Sequence, residues 1–142
     1  MNSDTLFELA NGLALITWIV LILFQRASWL KSAILGISIT LLATAYTFLI
    51  ITTFDAGSFE SFGSLSGVMS LFQNGEAVLA GWIHYLAFDL LAGLYIVSSA
   101  EKLGINRWVI TPSLLLTFMM GPLGLLTYLI IRLILEKKYF TY

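Results

Sequence analysis

Residues 77–100 read AVLAGWIHYLAFDLLAGLYIVSSA, with no Lys or Arg and, tyrosines apart, His84 and Asp89 as the ionisable side chains. A bilayer core of roughly 30 Å takes about 20 helical residues at 1.5 Å rise each, so the stretch is long enough to cross. Three others match it: 6–24, broken only by Glu8 and Asn11 near its start, and the uncharged 32–54 and 113–131. Strands are set aside, because apolar and polar residues do not alternate and four lone strands could not close a barrel. The expectation is an all-α polytopic membrane protein whose four transmembrane helices form one domain.

Composition points the same way. The 142 residues are 59% hydrophobic and 11% charged, against roughly 25% charged in an average soluble domain. A soluble domain this short would lack the polar side chain to cover its surface. The absence of cysteine excludes a disulfide scaffold, a thiolate zinc site and an iron–sulfur cluster. One histidine excludes a histidine-box di-iron oxygenase and, within one chain, bis-histidine haem ligation. A net charge of −1 offers nucleic acid no basic field.

Asp4 and Glu8 precede the first span while Arg26 and Lys31 follow it. That order is the reverse of a cleaved signal peptide and predicts an anchor with its N-terminus outside. The second connection carries acids and no Lys or Arg, and Lys102 and Arg107 mark the third as inside. Four simple crossings then put Arg132, Lys137 and Lys138 outside, against the positive-inside rule. The expectation is a Pro-kinked single span at Gly121-Pro122 that departs from a statistical rule.

Between spans two and three, Phe59, Phe62, Leu65, Met69 and Phe72 recur at three- and four-residue spacing among serines and Glu60. This predicts a short amphipathic helix over 58–72, flat at the interface or folded onto the bundle. Gly63 and Gly67, four apart, would let another helix approach closely. An ordered loop is the alternative.

Asp89 lies near the middle of its span, where an aspartate facing lipid costs about 2.5–3.5 kcal/mol, so an interior position is expected. At 100° per residue Trp82, Tyr85 and Asp89 fall within about 60° of one another, whereas His84 points about 140° from Asp89. Asp89 is then a helix-joining hydrogen-bonding group or a functional acid. His84 is a satisfied core residue, or part of a cavity that wraps the helix. Asn11 and Trp18 share a face of the first span, and Asn11 either bonds another helix or joins the same interior. Trp29 and Trp108 sit at interfacial depth as anchors. The aromatic wall of Trp82, Tyr85, Phe88 and Tyr95 suits a carotenoid or quinone, though core packing uses the same residues. A lone histidine without ligand spacing argues against a metal site.

The run Leu65-Ser66-Gly67-Val68, then Trp82-Ile83-His84 and Asp89-Leu90, resembles the abscisic-acid-deficiency-four (neoxanthin synthase-like) family, and Pro122-Leu123-Gly124 extends the resemblance over about 57–132. The resemblance implies a four-span protein of plastid membranes or, in bacteria, of the inner membrane. Its plant members are implicated in converting violaxanthin to neoxanthin. With residues 1–5 alone ahead of the first span, a bacterial-type member without a transit peptide is expected. The implied reaction is a redox-neutral isomerisation on a carotenoid or similar polyene lipid, requiring no cofactor. It has Asp89 as acid and His84 as base, in reversible roles, with Trp82, Tyr85, Asn11, Trp18 and Phe88 around the substrate. The alternative is a subunit that binds a carotenoid, quinone or lipid without catalysis, as a homo-oligomer or in a larger membrane complex. A proton-coupled carrier using Asp89 is less favoured, since four spans would have to dimerise to enclose a path.

Overall fold

The computed structural model of the chain describes residues 2–136. Three helices have the length and apolarity to cross a membrane: α1 (Ser3–Leu23), α2 (Leu30–Thr53) and α5 (Gly75–Lys102). They cover the first three predicted spans except for Phe24 and Phe54, which fall one residue beyond the ends of α1 and α2, and they run two or three residues past the other expected ends. Helix α2 widens into a π-type stretch at Ile34–Ile39, which sets Ser38 Oγ 2.8 Å from Thr17 Oγ1 on α1. Between α2 and α5 lie two short helices, α3 (Ala56–Glu60) and α4 (Leu65–Leu71).

Helix α5 is the axis of the bundle. Asn74 begins it by accepting from the backbone N–H groups of Glu76 and Ala77 at 2.9 and 3.1 Å, two donors that a helix start leaves unpaired. Past its last turn Gly104 takes φ +68°, a left-handed stop. The small Gly93 lets α1 settle on α5: a Cβ there would meet Trp18 Cη2 at 2.8 Å and Leu21 Cδ2 at 2.9 Å. Trp18 is accordingly 2% exposed, sealed into the core between α1 and α5.

The expected single span 113–131 is not formed. Gly121, at φ +33° and ψ −92°, breaks it into α6 (Arg107–Met120) and α7 (Pro122–Glu136), which fold back on each other. Gly124 packs directly on the backbone of Ser113 and Thr117, whereas a straight helix would hold Ser113 and Gly124 about 16 Å apart. From the tip at Gly121 both legs extend to the same end of the bundle. Gln25 Nε2, after α1, donates to Thr111 Oγ1 on α6 at 3.1 Å. Arg132 on α7 donates to the Tyr95 hydroxyl at 3.1 Å. The hairpin therefore runs from the Lys102 end of α5 up to the level of Asp89 and returns. Arg132 comes back toward the end that holds Arg26, Lys31, Lys102 and Arg107, so the sequence conflict with the positive-inside rule disappears for it. Lys137 and Lys138 lie outside the described residues. At the same end Lys31 pairs with Glu101.

The helix expected over 58–72 is also divided. Ser64 adopts extended backbone and caps α4 through Gly67 N–H at 3.1 Å. Gly67 meets the backbone of Ser61, so its small size serves the fold of this segment. Phe59, Phe62, Leu65, Met69 and Phe72 stay exposed, as an apolar face turned to an interface requires.

Candidate functional site

Asp89 stands midway along α5 and is 7% exposed. Its carboxyl presses against Gly121 at the tip of the hairpin, where a Cβ would collide with it. Glycine is required there twice over, for the positive φ and for the room. Among the described residues Asp89 Oδ2 has no hydrogen-bond partner. A buried oxygen without a donor costs about 1–3 kcal/mol, so the fold holds this carboxyl in place at some expense in stability.

One turn earlier, Tyr85 faces the same carboxyl, and its hydroxyl donates to the Met119 carbonyl at 3.4 Å. Trp82 stacks on Tyr85 with ring centroids 5.7 Å apart. The indole Nε1–H of Trp82 donates to Asn11 Oδ1 at 3.0 Å, and Asn11 Nδ2 donates to the Phe7 carbonyl at 2.7 Å. With both ends of its amide engaged, Asn11 fixes Trp82, and Trp82 fixes the ring of Tyr85. Trp82, Tyr85 and Asp89 thus lie along one face of α5 as expected, and Asn11 bonds that face from α1.

A groove of about 560 Å³ runs beside these residues, with Asn11, Trp82 and Tyr85 on its walls and Phe118 and Met119 beneath. A second hollow of about 440 Å³ shares Val78 and Trp82 with it and reaches Asp4 and Glu76 at the end of the bundle. The groove exists because the hairpin stops short. Helix α6 is about 21 Å long and ends at Met120. Had the chain continued straight, its next turns would fill the space above Phe118. The resulting path is apolar along its length, acidic at the outer end, and ends on a tyrosine hydroxyl backed by a buried carboxyl.

His84 is elsewhere. It points to α2, where its ring meets Tyr46 edge-on at 5.4 Å and stacks on Phe88 at 4.5 Å. A separate cavity of about 210 Å³ lies on that side, lined by His84, Tyr46, Phe62 and Phe72 among others. Phe72 rests on Gly81, 3.5 Å from where a Cβ would stand, and borders both spaces. His84 and Phe88 are thus on the opposite side of α5 from Asp89. Trp18 touches the groove only through Phe118, at a ring distance of 5.7 Å. Phe118, Met119 and Gly121 complete the site without being expected from the sequence. The Gly121-Pro122 pair was the available signal. Among the described residues no group of three or more His, Asp or Glu side chains gathers.

A family model described as ABA DEFICIENT 4-like matches residues 5–128. The chain belongs to the ABA DEFICIENT 4-like family. The matched region contains every residue placed around Asp89. No curated protein and no solved structure matches this ABA DEFICIENT 4-like chain.

Proposed function

We propose that this protein crosses the membrane with α1, α2 and α5, takes a carotenoid or similar polyene lipid into the groove beside Trp82, and isomerises it without net electron transfer. Family membership supports the polyene as substrate class. The observation that carries the chemistry is a carboxyl 7% exposed, with one oxygen unpartnered, set behind a tyrosine that lines an apolar groove. Asp89 is the proton source and Tyr85 the hydroxyl that meets the substrate oxygen.

Opening a polyene epoxide to an allenic alcohol balances with these two groups. The epoxide oxygen takes a proton from Tyr85, which is resupplied by Asp89, and one C–O bond breaks. The cation left on the ring is relieved when the adjoining polyene carbon loses its proton, forming the new double bond. That proton returns to the carboxylate through Tyr85. One acid serves both steps, so a base in the same cavity is not needed and the position of His84 across the helix is no obstacle. Apolar walls keep water from capturing the cation.

The experiment is the pigment profile of a carotenoid-making host expressing the protein. Asp89→Asn abolishes conversion, Tyr85→Phe reduces it, and His84→Ala retains it at unchanged protein level. Full conversion by Asp89→Asn defeats the proposal. The groove's openness also favours a second reading, a polyene-binding subunit. That reading predicts pigment co-purifying in stoichiometric amount with no change in the profile.

A further inference from the structure

A different cavity, of about 400 Å³, sits at the cationic end of the bundle, between the segment after α1, the end of α5 and the start of α6. Gln25, Arg26, Glu101, Gly104 and Arg107 are among its lining residues. Glu101 is taken up by Lys31, which leaves the two guanidinium groups as the uncompensated charge of the lining. Arg107 also lies over the ring of Trp108, 4.8 Å from its centroid. Trp108 and Trp29 expose their indoles at this end, the usual place of tryptophan at headgroup depth.

Gln25 is the unusual member. It is 5% exposed, and its Nε2 donates to the Ile22 carbonyl and to Thr111 Oγ1, both at 3.1 Å. Its Oε1 is buried and has no partner among the described residues. A buried amide oxygen calls for a donor, and arginines beside it call for an anion, with guanidinium geometry suited to phosphate. A phosphodiester supplies the second and cannot supply the first, because it carries no proton at neutral pH. A headgroup that joins a phosphodiester to a hydroxyl supplies both.

We propose that this cavity binds the headgroup of an anionic phospholipid of the phosphoglycerol type, with its phosphate between Arg26 and Arg107 and a headgroup hydroxyl donating to Gln25 Oε1. The site is separate from the Asp89 groove, and its occupancy is read without any pigment chemistry.

The full chain in detergent is titrated with phosphatidylglycerol, phosphatidylethanol and phosphatidylcholine, and bound lipid is counted by native mass spectrometry. Phosphatidylglycerol binds most tightly. Arg26→Gln and Arg107→Gln each weaken it about fivefold, the effect of one cation near a lipid phosphate. Lys102→Gln, a cation outside the cavity, leaves it unchanged. Phosphatidylethanol has the same charge without the hydroxyl, and Gln25→Met removes the preference for phosphatidylglycerol over it. Should that variant fail to fold, the arginine pair and the comparison of lipids on the native chain still decide. Equal losses in Lys102→Gln, or equal binding of phosphatidylcholine, overturn the proposal. Glycerol phosphate competing at the lipid's own concentration would identify a soluble phosphate ester as the occupant and overturn the lipid assignment.

Discussion

Replacing Gly121 by alanine tests the joint between the hairpin and Asp89. The backbone there is at φ +33°, a region that costs an L-residue about 1–3 kcal/mol. The added methyl would also enter the space of the Asp89 carboxyl, and such overpacking costs a further 1–3 kcal/mol or so. Gly121→Ala therefore loses about 2–6 kcal/mol in the native background. In an Asp89→Ala background the obstacle is gone and only the backbone cost remains. A double-mutant cycle, read by denaturant unfolding in mixed micelles, isolates the difference as a coupling of about 1–3 kcal/mol. Equal cost in both backgrounds, within about 0.5 kcal/mol, would show that the turn does not rest on the carboxyl and would refute the site geometry.

The native chain has no cysteine, so single cysteines can report topology: introduced near Arg26 and near Leu135, both label from the same side of the membrane, and labelling from opposite sides would mean that 113–131 crosses after all. Gly124→Ala forces apart the legs of the hairpin where Gly124 meets Ser113 and Thr117, and lowers the unfolding midpoint. Gly12→Ala, with open space around its Cβ position, adds up to about 1 kcal/mol of stability from helix propensity and raises that midpoint. Hydrogen bonds from Ser58, chiefly its backbone N–H, hold the Asp55 carboxyl below its ordinary 3.8. A depressed folded value means that the α3 cap is fully present above the ordinary value and is lost as pH falls through the lower one. The Phe59 amide signal in NMR should thus be steady from pH 7 to 5 and shift below about pH 4, a change that Asp55→Ala abolishes.

The three long helices were legible because length and apolarity alone define them, and Asn74 and Gly104 mark the limits of α5. The site was legible where one helix carries it. Helical spacing placed Trp82, Tyr85 and Asp89 on one face, and it also set His84 away from them. What it could not rank was the meaning of Gly121-Pro122, since the same pair reads as a kink inside one span or as a turn between two. The charges of Arg132 and its neighbours favoured the turn, and weighing them as mere scatter concealed the hairpin. Ser64 is a similar case: a serine before Leu65 is a helix start, but the apolar spacing of Phe59 to Phe72 runs across it. Trp18 shows the converse limit, because burial under Gly93 is decided by a neighbour that is remote in sequence.

Among the described residues the doubling-back at Gly121 makes the molecule unequal along its axis, with five helices side by side at the Lys102 end and only the three long ones, beside the short α3 and α4, at the Glu76 end. The groove beside Trp82 lies toward the thin end. Under the proposed function, the groove would open to the monolayer at that end, and a polyene dissolved in the other would have to change leaflets to enter it. Which leaflet the polyene of that proposal occupies, and how quickly it flips between the two, would then govern its access to the groove.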